Sequence, residues 1–338
     1  MILLILSFVY LSKSQVYEEW LQKYNKQYDA KRELIYYSNL EWINSYNSQF
    51  NEPKLTIDNE FADLDPLEFK DKYIKKNDHK LESNNIVTQS LKTNVRSIDW
   101  IKYMQPIQNQ GVCGSCYAFA MTATMESFLN IHLNNSVKLS EQYIVDCINY
   151  YDYNDGYDGC QGSTIVDILD FSMNVGVVVE HEYPLYDTTQ TKSNECREPI
   201  FNNKERYYVE DFKYYKGEGG YENGLQSGPL YVQIRADPYL IQFAAPNTII
   251  NDPDCSNGDI DHAVVLVGWD YDSKTDQEFW IIRNSWGSSW GNAGYGYIAK
   301  GKNICKIEDL KENLGILTIV SGAKNIIIVL SILILFII

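Results

Sequence analysis

The chain has 338 residues, with 45 Asp and Glu against 29 Lys and Arg and a net charge of −16. So acidic a body excludes nucleic acid as a partner, because binding phosphates needs a cationic surface. The length exceeds one small core and points to two compact units, or to one unit with an extension.

The first residues, MILLILSFVYLSKSQ, carry an apolar run from Ile2 to Leu11 and small residues at Ser12 and Ser14, the pattern of an export signal over residues 1–14. Exported cysteines meet an oxidising compartment and mostly pair, so an odd count leaves one thiol over. There are seven, all after residue 112, and from Asn94 onward 17 Lys or Arg face 31 Asp or Glu. That asymmetry places a boundary before this acidic, cysteine-bearing part.

From Tyr17 to Gln49, Trp20, Leu21, Tyr24, Tyr28, Leu34, Ile35, Tyr37, Leu40 and Ile43 recur at roughly helical spacing and predict two amphipathic helices. Leu55 to Phe69 predicts a short alternating strand, then a helix capped by Asp65 with Pro66 at its first position. KKNDHKLESNNIVTQSLKT has no periodicity and is expected to be a linker. Ala118, Ala120, Ala123, Phe128 and Leu129 then predict a helix with Cys116 at its start, where unpaired N–H groups favour a thiolate. Ser140 caps a second helix, and a Tyr- and Asp-rich loop separates Cys147 from Cys160. From about Tyr214 the runs PLYVQIRA, HAVVLVGWD, EFWIIRNSW and YGYIAKG predict strands. Helices first and strands second imply an α+β fold of two subdomains with a cleft between them.

The pair in GVCGSCYAFA admits three chemistries. A redox dithiol needs a buried strand of a βαβ unit just before it, and MQPIQNQGV does not supply one. A structural zinc site needs a second matched pair, which this sequence lacks, so no metal and no cofactor is called for. A nucleophile needs a base, an orienter for that base, and donors for the oxyanion. His79 precedes the boundary, and His181 lies in a turn before Tyr183-Pro184. His132 lies sixteen residues beyond Cys116 on the same predicted helix. That spacing is about 24 Å along a helix, too far to touch the thiol. His262 opens a strand and becomes the base by elimination. Asn284, after the strand EFWII, orients it, with a Trp nearby to shield the contact. The Gln110 amide and the Cys116 N–H serve the oxyanion.

The residues Gln110-Gly-Val-Cys-Gly-Ser-Cys-Tyr-Ala-Phe, Asp261-His262-Ala263 and Asn284-Ser-Trp-Gly-Ser-Ser-Trp-Gly resemble the papain family of cysteine peptidases, in its cathepsin L-like branch. His262 and Asn284 follow Cys116 by 146 and 168 residues, somewhat beyond the family's range of about 130–150, which implies insertions. The resemblance implies a papain-like fold: a helical subdomain over 94–212 and a β-barrel-like subdomain over 213–315, preceded by an inhibitory propeptide over 15–93. Arg32, Asn39, Ile43 and Asn47 match the propeptide's helix motif, with Tyr28 and Tyr36 as departures. Asn59, Phe61 and Asp63 match its second motif, with Ile57 in the usual Gly place. Removal is expected near Thr93 or Asn94.

The resemblance also implies the pairs Cys113–Cys160, Cys147–Cys196 and Cys255–Cys305, with Cys116 left free. Gly162, Ser163 and Thr164 are similar to the strip that pairs with substrate backbone, although Ser163 replaces a usual Gly. Ile165, Gln233, Ile260, Ala263 and Leu310 would line the pocket for the second residue before the scissile bond, with Leu310 at its base and an apolar preference. Asp261 adjoins this pocket, and Trp286 covers the other side of the cleft. Tyr117 stands where Trp is commoner. The implied activity is endopeptidase action on proteins and peptides through a Cys–His ion pair, with the enzyme made as a zymogen that its own propeptide inhibits. The implied location is the secretory pathway, in a lysosome or vacuole or outside the cell. The rival is a catalytically silent binding protein on the same fold, occluded by Asn149 to Asp158 or by Ser163. Asn134-Asn135-Ser136 is a glycosylation sequon at Asn134.

The last 13 residues carry no side-chain charge. A helix of that length reaches about 20 Å, against a bilayer core of about 30 Å. Spanning would therefore need to borrow from Leu314 to Gly322. Ser321, Gly322 and Ala323 before the run suit a glycolipid-anchor signal instead. Residues 316–338 are thus expected to form an apolar tail, with a membrane span, a glycolipid-anchor signal and removal all left open by the sequence.

Overall fold

The computed structural model describes residues 15–74, 86–89, 95–151, 158–185, 188–197, 205–311 and 313–321. The expected export signal, His79, the cleavage point at Thr93 or Asn94, and residues 322–338 lie outside them. Among the described residues no helix is long and apolar enough to cross a membrane.

Two helices open the chain, α1 over 15–23 and α2 over Ala30–Asn47. Asp29 caps α2 by accepting from the N–H groups of Lys31 and Arg32. Tyr17, Trp20, Leu21, Tyr36 and Ala62 form a small separate core, so Tyr36, one of the motif departures, packs as a buried ring. The two asparagines of the helix motif satisfy backbone carbonyls. Asn39 Nδ2 donates to the carbonyls of Ala62 and Leu64, and Asn47 Nδ2 to that of Leu55. Helix α3, Pro66–Tyr73, has Asp65 as its cap and Pro at its start, as the sequence predicts.

Helix α4 spans Cys116–Leu133 and ends at Asn134, which takes the left-handed conformation and is exposed. Helix α5 is Glu141–Tyr151, with the Tyr143 N–H bonded to Ser140 Oγ at 3.0 Å, and α6 is Ile165–Asn174. Helix α7 is Gly217–Leu225.

Among the described residues the main sheet has nine strands. Its path runs β1 (Ile86–Val87), β5 (Val209–Tyr215), β11 (Gly315–Val320), β6 (Leu230–Ile234), β8 (His262–Asp272), β9 (Gln277–Arg283), β10 (Tyr295–Ala299) and β7 (Ile249–Ile250). Strand β2, Ile98–Asp99, pairs with β8, and Gly268 admits it, since a Cβ there would lie 1.9 Å from the Ile98 carbonyl oxygen. Strands β3 (Val177–Val178) and β4 (Arg206–Tyr207) form a separate pair. The path is open at β1 and β7, so the expected barrel-like subdomain is a sheet that does not close among the described residues.

Strand β8 is buried without interruption from His262 to Trp269, the pattern of a strand covered on both faces. Ala263, Val265 and Val267 face the core shared with α4 and α5. Val264, Leu266 and Trp269 face a second core with Trp280, Trp286 and Trp290. One strand thus separates a helical half from a β-rich half, and its first residue is His262.

Three expectations change. The linker contains β1, which adds its backbone parallel to Tyr214 and Tyr215 of β5. Leu55 forms only a single bridge, to Ala244, instead of an alternating strand. The apolar tail does not begin at 316: Ile316, Leu317, Thr318 and Val320 are buried in β11, so four residues expected in the tail are core.

Candidate active site

Helix α4 begins at Cys116, at the end of the helix that carries unpaired N–H groups. Its small residues Ala118, Ala120 and Ala123 let it lie close against β8. Cys116 Sγ accepts from the N–H of Ala263 at 3.5 Å, which puts the thiol beside the first residues of β8. Cys113, three residues earlier, is bonded to Cys160. The other bonds are Cys147–Cys196 and Cys255–Cys305, and Cys116 alone is free and buried.

Antiparallel pairing of Val265 with Arg283 brings Asn284, just past β9, beside His262. His262 Nε2 lies 2.8 Å from Asn284 Oδ1, which also accepts from the Ser285 N–H at 2.8 Å. Two donors on one oxygen fix the amide. The Nε2 contact leaves Nδ1 without a hydrogen-bond partner among the described residues. The Trp286 ring lies 4.7 Å from the imidazole, fully buried, and keeps water from the His–Asn contact. His132 ends α4 against the Ser227 carbonyl at 2.8 Å, and His181 is exposed beside Glu182.

Gln110 is 2% exposed and locked in place. Its N–H donates to the Ser285 carbonyl at 2.8 Å, its Oε1 accepts from Ser285 Oγ at 2.5 Å, and its Nε2 donates to the Cys113 carbonyl at 3.0 Å. That Nε2 also reaches the Tyr73 carbonyl, at the end of α3, at 3.3 Å. The N-terminal segment therefore presents a peptide carbonyl to the group expected to bind an oxyanion.

The rest of that segment docks on the β-rich half. Phe69 stands edge-on to Trp286 at 5.0 Å between centroids, and Phe61 at 6.0 Å. Asn59 Nδ2 donates to the Gln242 carbonyl, and Gln242 Nε2 returns a bond to the Phe61 carbonyl, each at 3.1 Å. Glu60 accepts from Asn109 Nδ2 at 3.1 Å, and burial raises its carboxyl above the usual range. Sequence reasoning named no receptor for this segment. The signal was Tyr239-Leu240-Ile241-Gln242-Phe243, an apolar run in a loop between strands.

Under this cover the site favours neutral groups. Burial pushes the Cys116 thiol up to about 11, against the N–H groups of Ala263 and Tyr117, which lower it. Burial also pulls His262 down to about 4, against the Asn284 contact.

The expected substrate residues occupy varied surroundings. Gly162 has φ +95°, a conformation that suits Gly, and Ser163 is buried. Thr164 caps α6 in a reciprocal box with Asp167, and Ile165 is core. Gln233 and Ile260 are half-buried, while Ala263 is buried. Asp261 Oδ1 accepts from the Ala236 N–H at 2.8 Å, and Oδ2 lies 3.4 Å from Lys70 Nζ of the N-terminal segment. Leu310 is 63% exposed with its side chain toward Gly217, a solvent-open position where the floor of a pocket was expected. Tyr117 donates to the Gly159 carbonyl at 2.9 Å, a local packing role.

Comparison with known proteins agrees with this geometry. The papain family cysteine protease profile matches residues 94–312, and the cathepsin propeptide inhibitor domain (I29) matches residues 17–69. Cysteine proteinase 3 of Entamoeba histolytica is 31% identical over 299 residues, covering 86% of this chain and 90% of its own. Cathepsin L 1 of Paramecium tetraurelia is 30% identical over 303 residues, covering 86% and 89%. Digestive procathepsin L2 from Tenebrio molitor larval midgut superposes with a TM-score of 0.73 at 25% identity, over 90% of this chain and 99% of that one. The chain belongs to the papain family of cysteine proteases and carries the family's inhibitory propeptide as its N-terminal segment.

Proposed function

We propose that this zymogen, once its propeptide is removed, cleaves internal peptide bonds with Cys116 as nucleophile and His262 as base. The observation that carries this reading is the 2.8 Å contact of His262 Nε2 with Asn284 Oδ1 beneath Trp286, at the strand start where Cys116 Sγ meets the Ala263 N–H. His262 Nδ1 takes the thiol proton and the thiolate attacks the peptide carbonyl carbon. The oxyanion accepts from Gln110 Nε2 and the Cys116 N–H. Collapse breaks the C–N bond, and the imidazolium protonates the leaving amine. Water, deprotonated by His262, then hydrolyses the thioester and regenerates the thiol.

In the covered form both partners are neutral, because burial raises the thiol and lowers the imidazole. Departure of the propeptide admits water and restores the ion pair. Ile165, Ile260 and Ala263 support an apolar preference two residues before the scissile bond, with Gln233 limiting the volume and Leu310 at the open side. Three disulfides support passage through an oxidising compartment, and thus a secreted or endolysosomal enzyme. The test is hydrolysis of a fluorogenic peptide amide by acid-matured protein. Activity that Cys116→Ala abolishes is expected, and equal turnover by Cys116→Ala would overturn the reading.

A further inference from the structure

A crevice adjoins Asn284, lined by residues of α4, α5, β8 and the end of β9. Its lining includes Ala120 of α4, Glu141 of α5, Arg283, Asn284 and Ser285, with half-buried Gln108 at its rim. It offers about 10 Å³ to the centre of a water molecule, about what one ordered water occupies.

Two buried polar side chains line it. Asn284 is 3% exposed, its Oδ1 is taken by His262 and Ser285, and its Nδ2 has no partner among the described residues. A buried donor left unmade costs about 1–3 kcal/mol, so such a group ordinarily finds an acceptor. Glu141 is 3% exposed, and the bonds it receives from Thr122 and Lys138 both fall on Oε1.

We propose that the crevice holds one water that bridges Asn284 Nδ2 to the Glu141 carboxylate, making Glu141 a positioning residue for the catalytic pair. The bridge gives the amide a donor side and an acceptor side, and so keeps Oδ1 on His262 Nε2. Lys138 Nζ, bonded to Glu126 at 3.1 Å as well as to Glu141, is the cation beside that carboxylate. The other charged or titratable groups around the relay are Arg283 on β9 and Asp261 and Cys116 beside His262. Arg283 is turned away, onto the carbonyls of Gln105 and Pro106 at 2.6 and 2.8 Å.

This inference rests on the peptidase reading, and the wild-type matured enzyme separates the two: if it is inactive, that reading fails first. The experiment compares wild type, Glu141→Gln and Ala120→Val, whose added methyls fill the crevice, on active-site-titrated enzyme. Both variants are expected to lower kcat about tenfold with KM within about twofold, and to move the alkaline limb of the pH profile down by about half a unit. A purely structural role would reduce the titratable fraction and leave per-site kcat and the limb unchanged, which overturns the proposal. If Glu141→Gln does not fold, Ala120→Val decides on the same readings.

Discussion

At the scale of single residues, Cys113 and Cys116 sit three apart with opposite fates. Cys113 closes a bond to Cys160 across 47 residues, whereas Cys116 is free at the start of α4. Cys113→Ser is therefore expected to cost about 2–4 kcal/mol of stability, and Cys116→Ser to leave the thermal midpoint near that of the wild type while abolishing turnover. Calorimetry beside the peptide assay checks both. Cys116, His262 and Asn284 were legible in the sequence because each sits at or just past an end of an element that its neighbours announce. Leu310 was not. The loop before it turns at Asn303, Cys305 and Lys306, all with positive φ and none of them Gly. Sequence gives little warning of such turns, so the side chain ends in solvent.

Among elements, the propeptide helices are tied by Arg32 to Glu68, Nη2 to Oε1 at 2.6 Å. The Arg32 hydrogen bond lowers the Glu68 carboxyl from 4.5 to about 2. A depressed carboxyl contributes stability that is complete above its unfolded value and is lost as pH falls through the folded one. The pair therefore holds at pH 5 and weakens between about 4.5 and 2. Melting the Cys116→Ala zymogen across that window should show the loss, and Glu68→Gln should remove it. An unchanged slope in Glu68→Gln would contradict the assignment. Caps such as Asp65-Pro66 and Ser140 were readable because their chemistry is local. Strand β11 was not, because an apolar run in a buried strand and one in a membrane tail have the same composition. Only pairing with β5 and β6 separates them. Strand β1 has only two residues, Ile86 and Val87, each half-buried against one of the cores, and so short a run leaves no pattern to find.

Over the whole molecule, two cores share β8, and the nucleophile comes from one side while Trp286 comes from the other. The propeptide closes this junction with Phe61, Phe69 and the Tyr73 carbonyl, and burial raises the thiol and lowers the imidazole. The alternation of His262 to Trp269 between two cores was visible as an unbroken apolar run, but the loop that receives the propeptide became apparent only with the chain folded. The most direct measurement is labelling at pH 6 with an epoxide probe for thiolates, read by mass spectrometry of the labelled peptide. The account predicts a single adduct on Cys116 in the matured enzyme, with labelling slower by about a hundredfold or more in the intact zymogen. Equal labelling of both forms, or an adduct on any other residue, would contradict it.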